Sequence, residues 1–140
     1  MATLALTKVL HFAAAHRLAS PALSEAENLA LYGPCSRRHG HNYTLEVTVR
    51  GPLGPDGMVM DADLLERTMR AAVVDLVDHH DLDGDVPALG VGMTTGENLV
   101  TAFYRLLEPV LPPGRLWRVA LVETENNRFE CGPGAAEGRE

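Results

Sequence analysis

Apolar and polar residues alternate strictly from Asn42 to Arg50, with Tyr43, Leu45, Val47 and Val49 on one side and Asn42, Thr44, Glu46 and Thr48 on the other. That period of two predicts a half-buried strand over 39–51. A partner strand over 4–17 places Phe12, Ala14 and His16 on one face, and antiparallel pairing would bring the two segments together. The long connection between them, marked by Ser20-Pro21 and Gly33-Pro34, carries a short helical pattern from Ser24 to Leu31. Gly51-Pro52 and Pro55-Asp56-Gly57 predict a turn, followed by a short extended piece at Met58-Val59-Met60. Asp61 then caps a helix to about Val77, with Leu65, Met69, Ala72, Val73 and Leu76 forming its apolar stripe. A second helix begins near Thr94 or Thr95, where Thr94 and Glu97 have capping-box spacing, and continues to Val110 before Pro112-Pro113. Leu116 to Thr124 reads as a strand with Trp117, Val119, Leu121 and Glu123 on one face. An Asn126-Asn127 turn leads into a short last strand ending near Cys131. The order of two strands, two helices and two strands is that of an α+β domain over 1–131, with a flexible tail over 132–140.

With 140 residues, 46% of them hydrophobic, the chain has the size and composition of one domain with its own core. A formal charge of −7 disfavours nucleic acid and acidic membrane as general partners. Two cysteines, Cys35 and Cys131, make no disulfide framework in a chain of this size, so reduced thiols are expected. The apolar opening segment lacks a basic n-region, and no later segment has about 20 uninterrupted apolar residues. A cytoplasmic location follows.

Candidate chemistry gathers in three places. His39 and His41 share one face of the second strand, and antiparallel pairing would put His16 beside them. Three neutral imidazoles suit zinc and leave a fourth position for water or substrate; Cys35 is either that fourth ligand or a reactive thiol. The run Asp78-His79-His80-Asp81-x-Asp83 follows the first long helix. There a carboxylate beside an imidazole can fix its tautomer for proton transfer, or the group is only a polar helix terminus. Glu123 lies on an otherwise apolar strand face, where a carboxylate is costly unless it is paired or reaches a ligand. Arg17, Arg37 and Arg38 concentrate positive charge beside His16 and His39, as a phosphate site or as a solvated turn.

Six segments, in order, carry a resemblance: Phe12 to Leu18, Cys35-Ser36-Arg37-Arg38-His39-Gly40-His41-Asn42-Tyr43, Gly57-Met58-Val59-Met60, Asp78-His79, Thr95-Gly96-Glu97-Asn98 and Glu123-Thr124. Over residues 8 to 131 the chain resembles the 6-pyruvoyltetrahydropterin synthase superfamily, which includes the bacterial 6-carboxytetrahydropterin synthases. The resemblance implies a T-fold, an antiparallel sheet with two helices on one face. It also implies that the sheets of several subunits join into a barrel, commonly a homohexamer, with active sites between subunits. It implies that His16, His39 and His41 hold catalytic Zn2+, that Cys35 is the reactive thiol with Asp78 and His79 as its relay, and that Glu123 anchors the pterin. Thr95 and Glu97 would sit in or shape that site, and Arg37 and Arg38 could hold the triphosphate. His80 and Asp81 have no such assignment. The substrate so implied is 7,8-dihydroneopterin triphosphate.

Two products are open. The connection from Ser20 to Cys35 and the segment Val122 to Asn127 look like the pyruvoyl-forming enzymes of tetrahydrobiopterin synthesis. Three residues between Cys35 and His39 match instead the carboxy-forming enzymes of the queuosine pathway. Because that spacing positions the thiol, the expected product is 6-carboxy-5,6,7,8-tetrahydropterin with loss of acetaldehyde and triphosphate, and 6-pyruvoyltetrahydropterin is the alternative. A zinc hydrolase or deaminase using Glu97 or Glu123 as base, and a noncatalytic zinc-stabilised binding module, are the other classes.

Overall fold

The computed structural model describes residues 3–135. Strand β1 (Leu4–His16) and strand β2 (His39–Gly51) pair antiparallel along their full lengths, from Leu4↔Gly51 to His16↔His39. The connection holds helix α1 (Glu25–Tyr32), started by a Ser24/Glu27 capping box. A 3-10 turn, Gly33–Ser36, follows it and contains Cys35.

Met58-Val59-Met60 forms no strand, which corrects the extended piece expected there. Asp61 does cap α2 (Ala62–Met69), its carboxylate accepting the Asp63 N–H at 2.9 Å. The helix then widens into a π-turn, Arg70–Val74, before α3 (Asp75–Val77) closes it. The wider turn re-phases the apolar stripe. Val73 is buried as expected, Val74 and Val77 join it, and Ala72 and Leu76 are only partly buried at the edge of the core. Helix α4 (Gly96–Leu107) is capped by Thr95, whose hydroxyl accepts the Asn98 N–H, so the Thr94/Glu97 capping box is not formed. A 3-10 turn extends it to Val110.

Strands β4 (Leu116–Thr124) and β5 (Asn127–Cys131) complete a sheet of order β3-β1-β2-β4-β5. The short β3 (His80–Asp81) runs parallel to β1, so the sheet is not wholly antiparallel as expected. A two-residue edge ladder has no periodicity to read.

One sheet face forms the core. Leu10, Phe12, Tyr43, Leu45, Val47 and Leu121 meet Leu65, Met69, Val73, Leu99, Phe103 and Leu107 of the helices. Each such side chain contributes about 1.5–3 kcal/mol on burial. The register shifts between Thr48 and Val49 opposite β4, so Leu116 enters the core and Trp117 instead lies under the Arg50 guanidinium, 4.1 Å from its ring centre. The other face is polar, with Thr7 bonded to Thr48 and Arg128 forked onto Glu46. Beyond β5, Gly134 donates to the Trp117 carbonyl at 2.8 Å, and residues 136–140 of the expected tail lie outside the described residues.

Candidate active site

The β1–β2 register puts His16 directly opposite His39 and Ala14 opposite His41, so three imidazoles meet at one end of the sheet. Their ring centres lie 4.7, 5.1 and 4.8 Å apart, and the three candidate ligand atoms are all within 4.8 Å of one another. Backbone carbonyls fix two of the rings. His16 Nδ1 lies 2.8 Å from the Thr94 carbonyl and His39 Nδ1 lies 2.7 Å from the Arg37 carbonyl. A carbonyl only accepts, so each Nδ1 carries the proton and each Nε2 the lone pair.

The Nε2 atoms of His16 and His41 are buried without a hydrogen-bond partner. Burial holds the His41 imidazole below the ordinary histidine range, helped by the two neighbouring rings and opposed by Glu123. Three imidazoles whose ligand atoms converge, two of them with buried, unpartnered Nε2 atoms, fit a divalent ion such as zinc. The cluster contains no cysteine.

Glu123 owes its place to a bulge. The β4–β5 register shifts between Val122 and Thr124, leaving Glu123 as the extra residue. Its carboxylate faces the histidines, 3.9 Å from both His16 Nε2 and His41 Nε2. Beneath them Tyr43 is fully buried, its ring 5.5 Å from His41, its hydroxyl without a partner and held protonated by burial. Sequence reading took Tyr43 for an ordinary core residue, since strand alternation carries no sign of an orphaned hydroxyl.

Asp78 and His79 sit at the edge of β1. The Asp78 carboxylate accepts the Ala13 N–H at 3.0 Å, and the His79 N–H donates to the Ala13 carbonyl at 2.6 Å. Asp78 Oδ1 also meets His79 Nδ1 at 2.9 Å, leaving the imidazole largely exposed. A groove of about 490 Å³ joins His79 to His41 across Ala13, Ala14 and Gly40. Cys35 is exposed, and among the described residues no hydrogen bond links its thiol to Asp78 or His79.

Arg17, Arg37 and Arg38 do share a cleft of about 470 Å³ with Glu25 and Ser36. Arg38, however, is paired with Asp81 and reaches Asp83 at 3.5 Å. Asp81 is therefore an ion-pair partner rather than a free surface residue, while His80 is exposed with its Nδ1 against the Asp78 carbonyl. Thr95 serves as the α4 cap, and Glu97 lies exposed in the first turn, without a bond to the histidines. The sequence offered Asp83 only as the end of an acidic run and Thr94 only as a helix cap; their hydrogen bond at 2.7 Å joins the turn after β3 to the start of α4.

A sequence profile described as 6-pyruvoyl tetrahydropterin synthase matches residues 5–133. A 6-pyruvoyl tetrahydrobiopterin synthase of Pongo abelii is 45% identical over 84% of this chain and 83% of its own. A protein of Archaeoglobus fulgidus, provisionally named a 6-carboxy-5,6,7,8-tetrahydropterin synthase, is 31% identical over 79% of this chain and 90% of its own. The solved structure of the Caenorhabditis elegans 6-pyruvoyl tetrahydropterin synthase superposes with a TM-score of 0.87 at 38% identity, covering 94% of this chain and 96% of that one.

Proposed function

Because the chain belongs to the 6-pyruvoyl tetrahydropterin synthase family, we propose that it is a zinc-dependent carbon–oxygen lyase that converts 7,8-dihydroneopterin triphosphate to 6-pyruvoyltetrahydropterin with release of triphosphate. The observation that carries this reading is the three-histidine cluster, with two orphaned Nε2 atoms facing Glu123. The product follows the relatives: 45% identity to a pyruvoyl-type enzyme against 31% to a carboxy-type one favours the alternative over the expected 6-carboxy product. The three-residue spacing between Cys35 and His39 remains the feature in favour of the carboxy product.

His16, His39 and His41 would hold the zinc, which supplies Lewis-acid polarisation of the substrate's side-chain oxygens when bound. Cys35 is the base that takes a carbon-bound proton, and His79, oriented by Asp78, returns it. The thiol and this imidazole are both exposed and unbonded to each other in one chain, which supports a relay completed between copies. Glu123 would accept two hydrogen bonds from the amino-amidine edge of the pterin. Arg37 and Arg17 are the stronger candidates for the triphosphate, because Arg38 is committed to Asp81 and Asp83.

The test is incubation of zinc-loaded wild type and Cys35→Ala with 7,8-dihydroneopterin triphosphate, with products read by mass spectrometry and metal content measured on both. The expected result is pyruvoylpterin from wild type and roughly 10²-fold or greater loss in the variant at equal zinc. A carboxypterin with acetaldehyde would reverse the product, and zinc loss in the variant would make Cys35 a ligand.

A further inference from the structure

We propose that Asp83 is a positioning residue of the metal centre, reinforcing the His16 tautomer that the Thr94 carbonyl selects and holding the segment that carries His39 before any ion arrives. The proposal rests on the metal reading of the three histidines and is independent of which pterin, if any, is turned over.

Asp83 lies in the turn after β3, where the buried Leu82 docks through its N–H on the Ala15 carbonyl at 2.8 Å. From there its carboxylate reaches three separate pieces of the site. One oxygen accepts the Thr94 hydroxyl at 2.7 Å. The other accepts the N–H of Arg17, the residue after His16, at 2.8 Å, and lies 3.5 Å from the guanidinium of Arg38, the residue before His39.

The Thr94 link carries the chemistry. Thr94 is 2% exposed, and both of its oxygens face His16 Nδ1, the carbonyl at 2.8 Å and the hydroxyl oxygen at 3.3 Å. A hydroxyl has one hydrogen and can rotate. Because the Asp83 carboxylate claims that hydrogen, the hydroxyl oxygen presents a lone pair to Nδ1. Both Thr94 oxygens then accept from the same N–H, and His16 has only one tautomer with which to answer them, the proton on Nδ1 and the free lone pair on Nε2. Without the carboxylate the hydroxyl is free to turn and donate to Nδ1. Such a donor would compete with the Thr94 carbonyl for Nδ1 and raise the share of the tautomer with its proton on Nε2, the atom that must bind the metal.

The second arm acts on His39. Its Nδ1 donates to the Arg37 carbonyl at 2.7 Å, and Arg38 beside it is held by Asp81 as well as by Asp83. Losing Asp83 therefore slackens the ligand-bearing backbone on both sides of the cluster. Partners that orient metal-binding imidazoles in this way typically contribute 10–100-fold to affinity.

The test uses full-length wild type, Asp83→Ala, Asp83→Asn and Thr94→Val, each prepared metal-free. Zinc affinity is measured by competition with a chromophoric chelator, and the His16 tautomer by long-range ¹H–¹⁵N correlation of the imidazole nitrogens. Wild type should show His16 protonated at Nδ1. Asp83→Ala should show a larger share of the Nε2-protonated tautomer than wild type and bind zinc roughly 10–100-fold more weakly. Thr94→Val keeps the carbonyl and the shape but loses the hydroxyl oxygen, so it should weaken zinc in the same direction even where Asp83→Ala folds poorly. Asp83→Asn has one acceptor oxygen and no charge, so it can serve the Thr94 hydroxyl or the Arg17 N–H but not both, and should bind zinc with an affinity between those of wild type and Asp83→Ala. Unchanged tautomer and zinc affinity in Asp83→Ala and Thr94→Val would overturn the proposal. A wild type that binds no zinc would remove the metal centre and the proposal together. Absence of pterin turnover in a zinc-binding wild type would count against the proposed function alone, because both readouts are taken without substrate.

Discussion

His79 has φ 61°, a left-handed conformation that a side chain with a Cβ adopts at a cost. What holds it there is the pair of bonds that Asp78 and His79 make to the two sides of Ala13. The Ala13 N–H holds the Asp78 carboxyl below the usual carboxylate range, and the His79 and His80 rings add to this. A folded pKa lower than the unfolded one stabilises the fold fully above the unfolded value, about 4, and this contribution is lost as pH falls through the folded value. Metal-free wild type should therefore exceed Asp78→Asn in stability above about pH 5, and the margin should shrink below about pH 4. Urea denaturation across that range checks it, and a margin independent of pH would be inconsistent with a charged anchor. His41 has the opposite consequence for metal. Its neutral form is favoured by burial, so zinc competes with few protons there near neutrality, and affinity should fall in acid as this imidazole takes up its proton.

At the scale of elements, the site depends on where α4 begins. Gly96, its first residue, packs so closely on Phe129 of β5 that a Cβ there would clash with three carbons of the ring. This contact sets the helix start beside the end of the sheet, with Thr95 as cap and Thr94 left over to face His16 and Asp83. Gly96→Ala should destabilise the fold by about 1–3 kcal/mol, the usual cost of overpacking, measured by the urea midpoint. The π-turn does similar work in the other long helix. By bringing Val74 and Val77 into the core beside Val73, it lets the chain leave α3 with Asp78 against Ala13. Strands β1, β2 and β4 could be read from alternation because one face of each is wet. The π-turn and the two β4 bulges could not, since one inserted residue changes the pairing without changing the composition.

On the scale of the whole molecule, β1 has β3 beside it only at Ala14 and Ala15, so among the described residues the edge from Leu4 to Phe12 has no strand next to it. An edge this long, with Leu4 and Val9 exposed, favours pairing with another copy. The barrel and hexamer implied by the family resemblance would meet that need, and light scattering should report a mass of several chains. Successive N–H groups on β1 point to opposite sides, so one of Thr7→Pro and Lys8→Pro removes a bond to β2 and the other only an outward donor. One variant should lose fold stability, while the other should keep its circular dichroism and lose assembly. If both retained wild-type mass, this edge would not be the interface. Among the described residues no helix is long and apolar enough to cross a membrane.

Sequence by itself determined the long strands, the short helix after Ser24, the helix cap at Asp61, and the three histidines as a group, because period, cap chemistry and ligand spacing are local properties of the chain. It also carried the family, through short motifs kept in order. The tertiary structure decided how those residues are used. It tied Arg38 to acids of a distant turn and turned Glu123 toward the histidines at a bulge. It left Cys35 and His79 unbonded within one chain, and linked Asp83 through Thr94 to His16. These are contacts between segments far apart along the chain, set by how the elements pack, and no local pattern of residue types encodes them.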